Sequence, residues 1–472
     1  MKTLIALVRR NWAFFLLVTI AGLALRLFFV FRFPHIAGDT WVYGDIAKNW
    51  LDHGIFGITD NAAVRPTLIR LPGYPAFLAA MFAIFGREHY TAVMIAQALI
   101  DTNTCLVIAA LALELMNESA AKAAYLLAAL CPFTANYVAA PLSEILAIFC
   151  VAHGLYYGVR GLKALGLGES GASLWVATGL WIAAGIYMRP DNGLLLPALA
   201  LAMLILLWRQ SNKRQVVFAA IVLAATSLGP LTPWAVRNWR VFHVFQPLAS
   251  RYANDPEEFV PRGFNYWVKT WMVDYVSVEE VYWKVSGEPI DPQQLPERAF
   301  DSRAEYEKTL DIISRYNQQL YIDPQMDAEF EEVAHLHVEH NPLRYDIWMP
   351  FLRMSDMWLR PRTELFDVES RWWEFSKHEQ ESWFALLWAG LNLFYIVLAG
   401  RGWMRWRLGT AGVYVIGFIL LRSMFLSTLE NPEPRYMLEC FPVVLALAGG
   451  AFARRAGTSQ SPSAAPSSNF LS

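Results

Sequence analysis

Apolar residues come in blocks of about 20, the length that carries a helix across a ~30 Å hydrocarbon layer. The blocks predict spans near residues 11–33, 91–116, 120–140, 142–160, 173–189, 192–208, 215–235, 381–400, 408–428 and 436–453. The first, Asn11–Phe33, is span-length and has no small-residue cleavage site, so it reads as a membrane helix rather than a cleaved signal. Polar junctions set the orientation. Lys2, Arg9 and Arg10, then Lys122, Arg160 with Lys163, Arg209 with Lys213 and Arg214, Arg401 with Arg405 and Arg407, and Arg454 with Arg455 mark every second junction. Basic short loops stay cytoplasmic, so both termini are expected there.

One apolar run breaks the rhythm. Pro75–Phe85 is about 11 residues, ~16 Å as a helix, too short to cross. Counting it as a span would export every basic loop, so it reads as a juxtamembrane helix at the outer surface. Residues 34–90, the Pro141 turn, the Arg189-Pro190-Asp191 turn, residues 236–380 and Glu430–Arg435 then lie outside. The expected fold is an all-α polytopic membrane protein. It has about 10 transmembrane helices, juxtamembrane helices in the first outer loop and a mainly helical periplasmic segment. Its expected parts are an N-terminal transmembrane catalytic module (1–235, with the first outer loop 34–90), a periplasmic acidic segment (236–380), C-terminal transmembrane helices (381–455) and a disordered cytoplasmic tail (456–472).

Composition agrees. The 472 residues are 56% hydrophobic and 17% charged, against about 25% charged in soluble domains, and mean hydropathy is +0.30. The net charge of −2 conceals a division: residues 251–380 hold 26 acidic and 14 basic side chains, whereas the remainder is basic. No basic patch interleaved with aromatics points to nucleic acid. The acidic segment shows helical stretches at Arg303–Leu320 and Asp327–His340, but its core-forming content is thin. Trp348, Trp358, Trp372 and Trp373 place its later part against the membrane or the body. Cys105, Cys131, Cys150 and Cys440 lie in apolar runs without a CxxC pattern and read as small hydrophobes. No internal repeat is visible.

The first outer loop, GDTWVYGDIAKNWLDHG followed by RLPGYPAFLAAMFAIFG, carries the candidate chemistry. Asp39 follows the first span by six residues, at the depth of headgroup phosphates, where a carboxylate can take a proton from an acceptor hydroxyl. A plain loop acid or helix cap is the competing account; Asp45 and Asp52 fit that account on a wet helix face. Arg70 precedes the Pro-Gly-Tyr-Pro turn containing Tyr74 and suits a lipid phosphate, though snorkelling would also place an arginine there. Glu144 opens the fourth span, where the helix dipole alone favours an acid. Arg189, Arg237 and Arg435 are outer-face arginines, and Arg189 and Asp191 flank Pro190 closely enough to pair. Ionisable groups gathered at one membrane face mark a functional site.

In this order the motifs resemble the bacterial family 39 glycosyltransferases. That family belongs to the C-type superfamily with the protein O-mannosyltransferases and the lipid A aminoarabinose transferases. The likeness rests on the two first-loop motifs and PLSE at 141–144, then MRPDNGLLLP at 188–197, TPWAVRNWRVF at 232–242 and ENPEPRYMLECFP at 430–442. Residues 255–330 fall outside it. The resemblance implies a hexosyl- or pentosyltransferase of the bacterial inner membrane. It would take a sugar from a polyprenyl-phosphate carrier and invert at the anomeric carbon, at a periplasmic site. The acceptor would be a lipid, a glycan or a protein. Membrane lipids are the other partners. It maps a first-loop acid onto Asp39, a phosphate-gripping basic residue onto Arg70 and a second-loop acid onto Glu144. Asp39 and Glu144 are thus the expected catalytic residues, and Arg70, together with the outer-face candidates Tyr74, Arg189, Arg237 and Arg435, the expected donor-binding ones. Asp39 is followed by Thr40 instead of the second acid many relatives have. No cofactor is assigned, and divalent metal use stays open.

His335, His337 and His340 beside Glu331 and Glu339 do not converge as ligands and read as a solvated or interfacial helix. A transporter or flippase of a lipid-linked or polar solute is the rival class. Arg26 and Asp101, deep in spans, are the residues that favour it. A scaffold whose acidic segment binds a partner is a third option.

Overall fold

The computed structural model describes residues 2–209 and 213–453, which are almost entirely helical. The expected tail, 456–472, lies outside the described residues. Helix α1 (Lys2–Arg10) buries Leu4 and Leu7 and exposes Arg9 and Arg10 before the first span, α2 (Trp12–Arg32). The first outer loop folds as α3 (Asp39–His53), a two-stranded antiparallel hairpin of β1 (Gly57–Asp60) and β2 (Ala63–Pro66), and α4 (Gly73–Phe85). The body continues with α5 (Tyr90–Leu115), α6 (Glu118–Ala129), α7 (Pro132–Tyr137), α8 (Glu144–Gly166) and α9 (Ala172–Met188). Helices α10 (Leu195–Arg209), α11 (Lys213–Leu228) and α12 (Thr232–Phe242) follow.

The acidic segment contains α13 (Arg262–Trp271), the single turn α14 (Tyr275–Ser277), α15 (Arg303–Gln319), α16 (Pro324–His340) and α17 (Met349–Leu359). Helices α18 (Glu379–Arg405), α19 (Gly409–Leu426) and α20 (Phe441–Phe452) return to the body. Among the described residues, eight helical stretches are long and apolar enough to cross a membrane. The protein is an all-α polytopic membrane protein.

The expected span at 120–140 is two helices. Proline at position 132 has no N–H to continue the ladder, so α6 stops at Ala129 and α7 begins anew. Together they run the depth of α2: Glu118 pairs with Arg10 before α2, and Ala139 C=O accepts from His35 N–H after it (2.9 Å). A broken helix leaves orphan carbonyls in a medium without water. Arg26 satisfies them, donating to Ala129 C=O (2.7 Å) and Ala128 C=O (3.4 Å). The same guanidinium donates to Asp101 (Nε–Oδ2 2.8 Å), and both residues are almost wholly buried. Gly22 makes the approach feasible, because a Cβ there would lie 2.9 Å from Ala129 O. Arg26 and Asp101 are thus fully engaged with each other and with a helix end.

Helix α4 is 13 residues long, ~20 Å. It is tied to α3 at both ends, by Arg70–Asp39 (2.7 Å) just before it and Arg87–Asp52 (2.6 Å) just after.

The segment 236–380 departs from the thin core expected of it. Phe264, Trp267, Val268 and Trp271 recur at helical spacing along one face of α13 and pack with Ile312, Ile313 and Tyr316 of α15 and Phe330 and Val333 of α16. A handful of bulky aromatics, Trp267 and Trp271 wholly buried, supplies a core that a count of apolar residues underrates. This module docks on the body through α17. Arg353 donates to the carbonyls of Met272 (2.8 Å), Ser427 (3.2 Å) and Lys269, and Trp358 Nε1 donates to Ser423 (3.0 Å).

Removing one partner of a buried pair strands the other. Asp101→Ala is expected to lower stability by roughly 3–5 kcal/mol, seen as a fall in the thermal midpoint in detergent. The double variant Arg26→Met/Asp101→Leu should recover much of the loss.

Candidate functional site

Gly38 sets the site's first residue. Its φ of +53°, in the left-handed region that favours glycine, turns the chain so that Asp39 begins α3. Thr40, fully buried, lies with its hydroxyl 3.4 Å from Pro141 C=O, which brings the first loop beside the loop leading to Glu144. That second loop is held from below by Gln97, whose amide donates to Val138 C=O (3.1 Å) and Ala140 C=O (2.8 Å). Gln97 in turn accepts from Tyr74 (2.8 Å).

On this support a chain of alternating charges crosses the outer end of the bundle. Arg70 pairs with Asp39 (2.7 Å), and Asp39 faces Arg435 (3.5 Å). Arg435 contacts Glu433 (2.6 Å) and Glu144 (3.8 Å), and Glu144 pairs with Arg189 (3.0 Å). Arg189 reaches Glu439 (3.2 Å) and Asp191 (3.6 Å), and both acids meet Arg422, at 3.0 and 2.7 Å. Exposure is greatest at the end formed by Asp39 and Arg70, whose side chains are 32% and 21% exposed, and least at the end formed by Glu439 and Arg422, both at 0%. The wet end is therefore the end a substrate can reach, and the dry end is a brace. Burial would raise the Asp39 carboxyl, but Arg70 and then Arg435 outweigh it and hold it below the usual carboxylate range.

Two cavities meet at Asp39. The larger, about 860 Å³, takes in Arg70, Glu144, Arg189 and Arg435 and is flanked by Leu248, Phe425 and Leu429. The smaller, about 510 Å³, is walled by Tyr137, Tyr275 and Trp283 with Glu279 and Glu364. Asp39, Leu142, Trp283, Glu433 and Arg435 line both. The larger cavity concentrates guanidinium groups beside an apolar flank, the chemistry that suits a phosphate carrying a hydrocarbon tail. The smaller is acidic and aromatic.

The structure thus gathers Asp39, Glu144, Arg70, Arg189 and Arg435. Tyr74 and Arg237 stand apart. Tyr74 is wholly buried, lines neither cavity and acts on Gln97, with its ring 5.0 Å from that of Tyr43. Arg237 donates to Thr67 C=O (2.7 Å) and Phe56 C=O (2.8 Å) and sits over the Trp234 ring, outside both cavities. It fastens the hairpin loop that leads to Arg70. Three members of the network were not among the sequence candidates: Arg422, Glu433 and Glu439. The motif ENPEPRYMLECFP holds both acids, but only packing shows that they face Arg435, Arg189 and Arg422.

The histidine-bearing helix differs from its solvated reading, since Met326, Phe330, Val333, Ala334 and His337 are buried. His335 is exposed beside Glu331 (3.9 Å), whereas His337 points into the module core.

Residues 65–234 match the family model described as dolichyl-phosphate-mannose-protein mannosyltransferase, a stretch that contains Arg70, Glu144 and Arg189. The fold is similar to that of the oligosaccharyltransferase AglB from Archaeoglobus fulgidus, solved with an inhibitory peptide and a dolichol-phosphate. The TM-score is 0.50 at 13% identity, over 94% of this chain and 50% of that one. The chain is similar to the C-type glycosyltransferases in both sequence and fold. It spans about half the length of the AglB chains it matches. ArnT from Cupriavidus metallidurans, bound to undecaprenyl phosphate, matches with a TM-score of 0.40 at 14% identity, over 93% of this chain and 77% of that one. No curated protein matches.

If Tyr74 supports the Pro141 loop instead of touching substrate, its hydroxyl matters to stability. Tyr74→Phe is expected to cost about 1–3 kcal/mol, since Gln97 loses a buried donor. Thermal unfolding measures the loss, and the apparent affinity for a lipid-phosphate donor should stay unchanged.

Proposed function

We propose that this protein is a membrane glycosyltransferase that moves a sugar from a polyprenyl-phosphate carrier to a hydroxyl acceptor at the periplasmic face, with inversion and with Asp39 as general base. The observation that carries the proposal is the place of Asp39 on the wall shared by two cavities, the larger gathering Arg70, Arg189, Arg251 and Arg435 and the smaller having Arg435 as its one arginine among the described residues. An inverting displacement needs the base and the leaving phosphate on opposite sides of the anomeric carbon. The arginine-rich cavity holds the phosphate, and the acidic, aromatic cavity admits the acceptor. AglB, whose fold this chain shares, was solved with a dolichol-phosphate.

Each residue has a task. Arg70, the most accessible guanidinium of the network, takes the phosphate. In doing so it releases Asp39, whose carboxylate becomes a stronger base as its positive neighbour turns away. Arg435 and Arg189 stabilise charge developing on the departing phosphate. Glu144, between these two arginines, holds both in register. The hydrocarbon tail lies along α19, where Leu420, Met424 and Phe425 are exposed beside the larger cavity. The periplasmic assignment is supported by the basic pairs at the far end of the bundle. There Arg160 and Lys163 meet Glu114, opposite the end that holds Gln97 and Asp39.

Asp39→Asn keeps the shape but cannot accept a proton, so turnover should fall by about 10²-fold or more, with donor binding and the thermal midpoint little changed. Near-normal turnover in the purified variant would return Asp39 to a loop acid. A flippase would give no transfer product from a sugar-charged lipid carrier at all.

Arg70→Ala should weaken donor binding by roughly 1.5–3 kcal/mol, and Arg70→Lys should restore part of it. Because Arg70 and Arg435 hold Asp39 below the usual carboxylate range before the donor binds, the acid limb of kcat/KM should lie below that range. Arg70→Leu removes the charge that lowers the carboxyl, so the limb should move to higher pH.

For topology, cysteines placed at exposed Ser170 and Glu307 in a Cys-free background should label oppositely with an impermeant thiol reagent. Labelling of both from outside would overturn the periplasmic site.

A further inference from the structure

Asp301, Glu305 and His337 come together inside the acidic module, outside both cavities of the proposed active site. Glu305 is in the first turn of α15 and His337 in the last turn of α16, so the cluster joins the two helices near their ends. One ligand-type atom from each residue lies within 4.8 Å of the others. His337 Nε2 is 2.6 Å from Glu305 Oε1 and 3.8 Å from Asp301 Oδ2. Both His337 and Glu305 are more than nine-tenths buried, at 5% and 7% exposure.

The surrounding hydrogen bonds fix which atoms are free. Thr270 donates its hydroxyl proton to Trp267 C=O (2.7 Å), so its oxygen is left to accept from His337 Nδ1–H (2.8 Å). That tautomer bares the Nε2 lone pair, the arrangement that orients a metal-binding imidazole. Glu305 Oε2 is occupied by Asp301 N–H (2.9 Å) in a helix-capping contact, which leaves Oε1 aimed at the histidine. Neither His337 Nε2 nor Glu305 Oε1 has a hydrogen-bond partner of acceptable geometry among the described residues. Nor does the buried hydroxyl of Thr309, one turn along α15. On Asp301, Oδ1 accepts from Arg344 (2.6 Å) and Oδ2 faces His337. A bare imidazole nitrogen against a carboxylate oxygen in a buried site repels unless a shared proton or a metal cation sits between them.

We propose that Asp301, Glu305 and His337 form a binding site for a divalent cation of the zinc class, which cross-links α15 to α16 within the acidic module. One imidazole nitrogen and two carboxylate oxygens suit zinc, whose bonds to such atoms are ~2.0–2.2 Å, with water completing the set. The Arg344 contact leaves Asp301 one oxygen for this purpose and makes it the weakest of the three ligands. The site lies in residues that the family model does not cover. It fastens the module and takes no part in sugar transfer.

The test uses the full-length protein in detergent, stripped with a chelator and titrated with Zn²⁺ alone. Calorimetry and elemental analysis should give one zinc per chain. The thermal midpoint should rise on loading and fall on chelation. His337→Gln should abolish binding, and Asp301→Asn, the milder change, should weaken it at least tenfold while the apo protein keeps its far-UV spectrum. Two results would overturn the proposal: no stoichiometric zinc with an unchanged midpoint, or stoichiometric zinc that survives all of His337→Gln, Glu305→Gln and Asp301→Asn. The first would leave a protonated His337 paired with Glu305, and the second would put the ion elsewhere. Transferase activity is measured separately, so loss of the zinc site leaves the reading of Asp39 intact.

Discussion

A guanidinium withdrawn from water must be matched by carboxylates or carbonyl oxygens, and the architecture of this protein follows where those matches are made. Arg26 closes the gap in the α6–α7 crossing and so allows the body to pack around a broken helix. Arg422 locks Asp191 and Glu439 together at the dry end of the site, and Arg353 ties the acidic module to the end of α19. Each of these arginines is wholly buried and has carboxylate or carbonyl oxygens close to its guanidinium. Losing any one would strand polar atoms where no solvent can reach them. The same chemistry, moved to the wet edge of the network, leaves Arg70 and Asp39 free to exchange partners. On the proposed mechanism, structural and catalytic roles differ by exposure rather than by residue type.

Glu144 shows how the two roles grade into one another. Its carboxylate is nearly buried, shares one oxygen between Arg189 and Arg435, and opens a helix that runs through the body. A side chain so placed transmits the rigidity of the packed end to the arginines at the cavity. Tyr74 and Gln97 do the same for the loop above them through neutral hydrogen bonds. The site is therefore preorganised from beneath, the condition under which fixed dipoles and charges stabilise a developing anion most effectively.

Much of this was legible in the sequence because membranes impose a strict grammar on it. Span length and the shortness of Pro75–Phe85 follow from bilayer thickness, and eight of the ten expected spans appear among the described residues as helical stretches long enough to cross, 120–140 being split and Ala172–Met188 falling short. The break at Pro132 was readable in principle, but the arginine that compensates for it lies 106 positions earlier, beyond any local pattern. Asp39, Arg70, Glu144, Arg189 and Arg435 stood out as ionisable residues near span ends. Arg422, inside an apolar span, and Glu439, after a proline-rich turn, gave no comparable sign. Arg237 met the same criterion as Arg435 and yet serves the backbone, because span-end position does not tell which way a guanidinium turns. The module's core was underrated because a few tryptophans do the work of many aliphatics.

The order in which the charge network is laid down along the chain bears on its biogenesis. Asp39 and Arg70 emerge with the first loop, whereas Arg422, Glu433, Arg435 and Glu439 arrive with the last two spans. During synthesis the early acids and arginines must wait, partly matched, until α19 and the segment after it have been threaded into the bilayer. An incompletely inserted chain accordingly lacks both the brace and one wall of the cavities. On the proposed function, it could not grip a charged lipid until α19 and the turn that follows it are in place.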